Sequence, residues 1–581
     1  MTTRRSWRVR SRSSVALVLI VLFCESGFTS TNPAQIQPAT SSTSVRPQEL
    51  SSEGQAWLRE AISAGSFADL RWPDFSDYRR YVEKFYEFNG DSLWWVKGME
   101  PTAQARRVIA VMLQADQKGL SAEDYDGPRW NDRLAKLTLA TRQPAEADAV
   151  KFDLALTVCA MRYISDLHIG KVNPKHFAFA LDDESRKYEL AEFLKDHVVN
   201  AGDVDSVMAQ VDLPYPGYRR TIQALQTYME LAKKDDGEQL PLVKKVIVPG
   251  DTYSGVPRLT RLLRLVGDLP SEANVLIDPP IYHGELVNAV KNFQRRLGRD
   301  PSGHIDAQTL ADLNVPISRR VRQMQLTLER WRWLPDSYQK SPIVANIPEF
   351  RLRSYDKDFN IGVTMNVVVG KAYGGHNTPV FSDTIEYVVF RPYWEVPYSI
   401  TKGEMIPHLV SDPDYLAKKG FEVVDGKQNI VSAGTVTPEV LSQLRAGKLF
   451  IRQTPGPKNA LGLAKFIFPN NYNVYMHDTP STEFFAKSRR DFSHGCIRLE
   501  KPADLAAWVL RDNPGWTPES IRAAMNGDRT QQVNLAHPIP VLILYATVIV
   551  LEDGIVHFYD DIYGHDASLE KVLEKGYPYP W

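Results

Sequence analysis

Near residues 331–335 the pattern of apolar residues along this chain changes from helical spacing to short strands. Before that point, apolar side chains recur every three or four residues in segments such as 103–118 and 149–167, which predicts helices. A chain that keeps its helices and strands in separate stretches is expected to form an α+β fold. Its 581 residues exceed what one core holds, so roughly three to four domains are expected. After the change, short runs rich in β-branched residues predict strands at 343–347, 350–355, 361–369, 386–390 and 449–452.

The first fifty residues have the features of an export signal followed by a leader. A cluster of arginines precedes an apolar run at 15–23, which is too short to span a bilayer comfortably. Residues 1–26 are therefore expected to form a signal peptide. Residues 27–50, rich in Ser, Thr, Pro and Gln, are expected to form a flexible leader. An uncleaved inner-membrane anchor stays open as an alternative.

The charge balance argues against nucleic acid as a partner. The chain has 69 Lys and Arg residues against 70 Asp and Glu residues, whereas nucleic-acid-binding proteins carry a basic surface. The sequence has no Gly-rich phosphate loop ending in Lys-Ser or Lys-Thr. It also lacks the Cys-x-x-Cys and His-x-x-x-His spacings that are typical of metal sites. We therefore expect no metal and no cofactor.

The chemistry is concentrated in residues 493–498, Ser-His-Gly-Cys-Ile-Arg. Cys496 is one of three cysteines, and His477 precedes it by 19 residues. A thiol beside an imidazole that accepts its proton is the minimum equipment for thiol acyl transfer. Gly495 leaves room for a substrate carbonyl, and backbone N–H groups at Gly495 and Cys496 could bind an oxyanion. A buried structural cysteine and a structural histidine remain the alternative when these two residues are considered alone.

Cys159 is expected to be structural. It lies in a predicted helix at helical spacing from other apolar residues, so we expect it to be buried and inert. Cys159 and Cys496 are both expected to be free thiols, because a disulfide between them would block the candidate nucleophile.

Several short motifs in the strand-rich part occur in a recognisable order. The motifs lie at 367–370, 378–381, 394–397, 452–453, 455–462, 465–470, 474–480 and 492–498. Together they resemble the YkuD-type L,D-transpeptidase catalytic domain, in its large periplasmic, YcbB-like branch. The resemblance extends over most of the chain, because 93–95 and 119–125 resemble the helical scaffold of the same branch.

The resemblance implies a multidomain α+β architecture in the periplasm. A mainly β catalytic domain would occupy 317–581, with a capping lid inserted at 400–448. An α-helical scaffold at 51–245 and a small helical peptidoglycan-binding-like module at 246–316 would precede it. Ser302 and Gly303 replace the module's usual Asp-Gly turn, so a structural spacer remains an alternative. A rigid packed insertion is the alternative to a mobile lid.

The resemblance also implies a reaction on peptidoglycan stem tetrapeptides. Cys496 would attack the carbonyl between the third and fourth residues, release D-alanine and form a thioester. An amine on a neighbouring stem would resolve the thioester into a 3→3 cross-link. His477 would donate and accept the proton, while His494 and Gly495 would shape the oxyanion-hole turn. Substrate contacts are expected from Arg498, Ser493, Tyr475 and Asn459.

Three alternatives to cross-linking stay open at this stage. Water could resolve the same thioester, which would make the protein a hydrolase. A lysine of an outer-membrane lipoprotein could be the acceptor. A third class is a non-catalytic wall-binding scaffold that recruits other cell-wall synthases; such synthases are candidate partners besides the donor and acceptor stem peptides.

Overall fold

The computed structural model of the protein describes residues 50–138, 145–181 and 186–576. The predicted signal peptide, and the predicted leader up to its last residue, lie outside the described residues. None of the helices in the described ranges is both long enough and apolar enough to cross a bilayer.

The first half of the described chain is helical, as the apolar spacing predicts. The helix predicted at 103–118 ends at Met112 and is followed by a 3-10 turn that stops at Gly119. Gly119 has a left-handed φ of 75° and ends this 3-10 turn. The helices of this half are α1 (Ser52–Ala64), α2 (Arg79–Glu87), α3 (Ala103–Met112), α4 (Trp130–Thr138), α5 (Glu146–Ile169), α6 (Leu190–Phe193), α7 (Val204–Val211), α8 (Pro216–Lys234), α9 (Val256–Leu265), α10 (Glu285–Arg296), α11 (Ala307–Leu313) and α12 (Ile317–Arg332).

Helix α5 is the centre of the N-terminal helical core, and most of its side chains are buried. Cys159 lies on this helix and is fully buried, which confirms the expected structural role. Burial raises the pKa of its thiol, so it stays protonated and unreactive. Cys159 and Cys496 are both free thiols, as predicted.

Helices α9, α10 and α11 form the region predicted as a small helical module. Its apolar side chains are buried, including Leu259, Leu263, Val290 and Phe293. These side chains share one hydrophobic cluster with α8, α12 and a hairpin at 548–558. The core of this region is therefore continuous with its neighbours, and its boundaries stay predictions.

The second half of the described chain is rich in strands, and the five strands predicted from the sequence are confirmed. Seven further helices occur there among the described residues: α13 (Tyr398–Ile400), α14 (Ile406–Ser411), α15 (Tyr415–Lys419), α16 (Pro438–Arg445), α17 (Pro502–Val509), α18 (Pro518–Asn526) and α19 (His565–Leu573). Numbered from the N-terminus, the strands are β1 (Val96–Lys97), β2 (Glu100–Pro101), β3 (Ile343–Asn346), β4 (Arg351–Tyr355), β5 (Ile361–Gly370), β6 (Phe381–Phe390), β7 (Trp394–Glu395), β8 (Phe421–Val424), β9 (Ile430–Ser432), β10 (Phe450–Gln453), β11 (Ala464–Ile467), β12 (Met476–His477), β13 (Asp491–Ser493), β14 (Ile497–Leu499), β15 (Gln531–Leu544), β16 (Val548–Val550) and β17 (Val556–Phe558).

A nine-stranded sheet forms the body of this half, in the order β13-β5-β14-β12-β11-β6-β15-β3-β4. Strand β4 also pairs with β5, so the strands from β5 to β4 close into a barrel with β13 beside them. Alternate side chains point into the barrel and form one apolar core. The outer side of β11, β12 and β14 carries the polar residues Lys465, His477 and Arg498.

A separate four-stranded sheet, in the order β7-β10-β8-β9, belongs to an insertion that we call the cap (residues 394–453). The predicted lid, 400–448, lies within it. The cap has a hydrophobic cluster of its own, built around Met405, Leu409, Val423 and Leu444. It is thus a packed unit with its own core, joined to the barrel through the chain on either side of β7 and β10.

Candidate active site

Cys496 lies in a tight turn between β13 and β14. The Ser493 hydroxyl donates to the Cys496 carbonyl at 2.6 Å and accepts from the Gly495 N–H at 3.1 Å. Gly495 has a φ of +119°, a left-handed value that favours glycine. Ser493 is buried and its hydroxyl is used by these two bonds, so it holds the turn, and its expected contact with substrate stays a prediction.

Strand register places the candidate catalytic residues on one face of the sheet. In the parallel pair β12–β14, Met476 lies opposite Ile497 and His477 opposite Arg498. Met476 and Ile497 point into the barrel and are fully buried. Because side chains alternate along a strand, His477 and Arg498 point to the outer face together with Tyr475 and Cys496. His477 and Cys496 are diagonal neighbours on this face.

The Cys496 side chain is half-buried between polar neighbours. Its Sγ lies 3.8 Å from the Asn473 carbonyl oxygen, and Tyr475 acts on it through both hydroxyl and backbone. Burial raises the pKa of this thiol, and Tyr475 and the nearby cations only partly oppose that effect. The resting side chain is therefore a thiol, and a base is needed to activate it.

His477 has the protonation state that such a base requires. Its Nδ1 lies 2.5 Å from the Asp478 carbonyl oxygen, and only an N–H can donate to a carbonyl, so Nδ1 carries the proton. Burial, helped by the charge of Arg498, lowers the pKa of His477 to about 3. The imidazole is therefore neutral at physiological pH, and Nε2 is free to accept a proton. Within the described residues no hydrogen bond joins His477 to Cys496; a bond of this kind often tightens only when substrate binds.

Of the two backbone N–H groups expected to bind an oxyanion, at Gly495 and Cys496, only one is free to do so among the described residues. The N–H of Gly495 is used by Ser493, whereas the Cys496 N–H makes no hydrogen bond within the described ranges. Tyr475 stays protonated, since burial raises its pKa, and its hydroxyl is close to the thiol. The Cys496 N–H and the Tyr475 hydroxyl are therefore the donors available to a developing oxyanion.

His494 points towards the cap. Its Nε2 lies 2.6 Å from Glu404 Oε1, and its ring packs edge-on against His376 at 4.8 Å between centroids. Trp394 and Glu395 of the cap lie over Tyr475 and Lys465 respectively. The cap therefore covers the catalytic turn, and His494 contributes a contact with the cap in addition to its place in the turn.

Asn459, which the resemblance suggested as a substrate contact, lies at the base of the cap. It is almost completely buried, and its amide nitrogen donates to the carbonyls of Pro392, Gln453 and Thr454. Its side-chain oxygen accepts from the Leu461 N–H at 2.8 Å. These bonds tie the two chain connections of the cap together, so Asn459 fixes how the cap joins the barrel.

Thr378 and Tyr563 support the turn, and sequence reasoning did not single out either one. Thr378 Oγ1 accepts from the Gly370 N–H and donates to the Gly495 carbonyl, both at 2.8 Å. The Tyr563 hydroxyl donates to the Gly370 carbonyl at 2.6 Å and accepts from the Thr378 N–H at 3.2 Å. Thr378 lies in the motif at 378–381, so the sequence could have indicated its role. Tyr563 lies far along the chain and outside every motif, so nothing in the sequence indicated its role.

Replacing Thr378 with the isosteric valine is expected to loosen this turn. Two buried backbone groups would lose their partner, so the free energy of unfolding should fall by about 1–3 kcal/mol. Turnover should fall by about tenfold, because Cys496 would be held less accurately. Urea denaturation and steady-state kinetics measure both effects, with Thr384→Val on β6 as the matched control. A Thr378→Val protein with the stability and turnover of the control would contradict this role.

Lys465 is a further residue of the site that the sequence analysis did not single out. It lies on β11 opposite His477, and its Nζ is 4.1 Å from the centre of the Tyr475 ring. Among the described residues, no cluster of three or more His, Cys, Asp or Glu side chains could hold a metal ion. The site as a whole is a thiol, a neutral imidazole, a phenol and two cations under a cap.

Comparison with known proteins agrees with this geometry. Residues 341–531 match the family model described as the L,D-transpeptidase catalytic domain, YkuD, and residues 80–225 match the model described as the scaffold domain. A curated protein of Haemophilus influenzae, named "Putative L,D-transpeptidase", is 28% identical over 271 residues. That match spans 46% of this chain and 53% of the relative, about half of each. The predicted resemblance is confirmed, and so is the combination of a helical scaffold region with a β-rich catalytic domain.

Proposed function

We propose that this chain, which carries a YkuD-type L,D-transpeptidase catalytic domain and a scaffold domain, forms 3→3 cross-links between peptidoglycan stem peptides. The donor would be a stem tetrapeptide and the acceptor an amine on a neighbouring stem. The observation that carries the proposal is that neutral His477 and half-buried Cys496 are diagonal neighbours on one face of the barrel, beneath the cap. Binding alone would not require that combination.

The proposed reaction has two steps. Cys496 gives its proton to His477 Nε2, and the sulfur attacks the carbonyl between the third and fourth residues of the stem. The carbon–nitrogen bond breaks, His477 returns the proton to the leaving nitrogen, and D-alanine departs with a thioester left on Cys496. The acceptor amine then attacks the thioester carbonyl and gives a proton to His477. The carbon–sulfur bond breaks, and His477 returns that proton to the sulfur, which regenerates the thiol. The energy of the broken peptide bond is carried in the thioester, so no nucleotide is needed.

Product analysis tests the proposal directly. Purified tetrapeptide muropeptide incubated with the full mature chain should give a dimer whose mass is lower by one D-alanine than that of two donors. Loss of D-alanine without a dimer would assign hydrolysis instead. A transfer product on a lipoprotein-derived lysine peptide would assign protein attachment. No reaction with any acceptor, but retained binding to wall sacculi, would support a non-catalytic scaffold.

The cap is proposed to act as a lid that holds substrate. Its contacts with the catalytic turn include the Glu404–His494 pair, which is separate from the two chain connections. Hydrogen exchange in residues 400–448 should slow by about threefold or more when substrate is added to the inactive Cys496→Ala protein, because lid closure protects exposed amides. Helix α17 in the barrel serves as the internal reference. Exchange in 400–448 that substrate leaves unchanged would favour a rigid insertion.

Export to the periplasm by residues 1–26 is part of the same proposal, since stem peptides lie outside the cytoplasmic membrane. Wall binding by residues 246–316 is likewise proposed. Because the core of that region continues into α8 and α12, a sacculus pull-down should use the full chain. A full chain that stays in the supernatant would reject wall binding.

A further inference from the structure

Two cationic side chains lie on either side of His477 in one row across three strands. In the antiparallel pair β11–β12, Lys465 is opposite His477, and in the parallel pair β12–β14, His477 is opposite Arg498. Residues that pair across neighbouring strands point to the same face of a sheet. The neighbouring row on that face contains Tyr475 and Cys496. The thiol therefore lies beside two positive charges.

Neither cation has an anionic partner within the described residues. Lys465 Nζ forms no ion pair or hydrogen bond there and rests on the ring of Tyr475. Arg498 Nε is buried without a hydrogen-bond partner, and its guanidinium lies 5.9 Å from the centre of the Phe484 ring. Glu395 and Glu483 are near enough to act electrostatically on Lys465 and Arg498 respectively, but neither forms an ion pair with them.

Several other partly buried arginines of the protein are paired with a carboxylate. Arg353 donates twice to Glu349, and Arg452 next to the site donates to Glu422 at 2.9 Å. Arg490 has backbone carbonyls as partners instead. A buried charge without a partner is costly, and burial lowers the pKa of both Lys465 and Arg498. Among the described residues these two cations have neither kind of partner, so they are available to an anion that arrives from outside.

We propose that Lys465 and Arg498 together form a subsite for a carboxylate that the acyl donor carries next to the carbonyl attacked by Cys496. This inference rests on the proposed function and names the groups that select the donor. The arginine fork can donate twice to a carboxylate, and the lysine adds a point charge from the other side of His477. Two carboxylates fit this chemistry: the terminal carboxylate of the leaving residue and a side-chain carboxylate of the residue that is acylated.

Alkylation of Cys496 tests the subsite without any stem peptide. Iodoacetate carries a carboxylate and iodoacetamide does not, and both react only with the thiolate, so a change in thiolate fraction cancels in their rate ratio. The ratio of the iodoacetate rate to the iodoacetamide rate, measured by peptide mass spectrometry at Cys496, should fall about tenfold in Lys465→Met and in Arg498→Met. Lys465→Arg should restore most of it. Lys571→Met, an exposed site on α19, should keep the ratio of the unmodified protein.

The two carboxylate sources are separated with amidated tetrapeptide donors. If the terminal carboxylate is bound, Lys465→Met should slow the unmodified donor about tenfold and leave the C-terminal amide unaffected. If the side-chain carboxylate is bound, the donor amidated there should be the insensitive one. An unchanged alkylation ratio in Lys465→Met, or equal sensitivity of all three donors, would overturn the subsite. If no donor is turned over, the proposed function fails, and the alkylation ratio still decides the subsite.

Discussion

Replacement of Cys496 by alanine is expected to abolish cross-linking, with turnover lowered by at least about 10⁴-fold. A thioester requires a sulfur nucleophile, and neither Tyr475 nor His477 can form it in place of the thiol. The substitution removes one half-buried sulfur that makes a weak 3.8 Å contact with the Asn473 carbonyl and accepts from Tyr475, so folding should be retained. Dimer formation by mass spectrometry measures turnover, and thermal unfolding measures the fold.

Cys159→Ala is the matched control for this experiment. It removes the other described thiol, which lies in the core of α5 away from the barrel. This variant should lose about 1 kcal/mol of stability through the small cavity and keep its turnover. Turnover that survives in Cys496→Ala, or disappears in a folded Cys159→Ala protein, would contradict the assignment of the nucleophile.

Replacement of His477 by glutamine is expected to lower turnover by about 10²–10⁴-fold and to change its dependence on pH. The pKa of His477 is lowered to about 3, so the imidazole is already a neutral base at pH 5 and above. Turnover of the unmodified protein should therefore stay nearly constant from pH 5 to 8. Without the base only the thiolate attacks, and the raised pKa of Cys496 makes the thiolate scarce at neutral pH. Turnover of His477→Gln should rise about tenfold for each pH unit over the same interval.

His537→Gln, at an exposed position in β15, is the control and should keep the flat profile. The measurement is the initial rate of D-alanine release at constant ionic strength. A His477→Gln protein whose rate is as independent of pH as that of the control would show that His477 does not take the proton from Cys496.

The sequence allowed the fold class, the principal strands and the Cys496–His477 pair to be predicted, because each depends on local pattern or on a motif. Strand periodicity identified β3, β4, β5, β6 and β10, and the apolar spacing identified α5. The order of the motifs identified the catalytic domain. Strands, helices and motifs each depend on residues that are close together in the chain, so a single sequence is enough to predict them.

The contacts around Cys496 and His477 could not be predicted, because they depend on which strands pair, at which register, and on residues far apart in the chain. Lys465 reaches the site only because β11 pairs with β12 at one particular register. Asn459 was predicted as a substrate contact, and nothing in the sequence indicated that its amide donates to backbone carbonyls from both connections of the cap. Tyr563 acts on the catalytic turn through Gly370 from a position 193 residues away. Such long-range contacts leave no periodic signal in one sequence.

The most direct test of the account is the intact mass of the protein during turnover with tetrapeptide muropeptide, followed by peptide mapping. The account predicts a transient adduct that raises the mass of the protein by the mass of the donor less one D-alanine. It places that adduct on Cys496 alone and predicts that the acceptor amine removes it. Cross-linked product that accumulates with no adduct on Cys496, or with the adduct on another residue, would contradict the account.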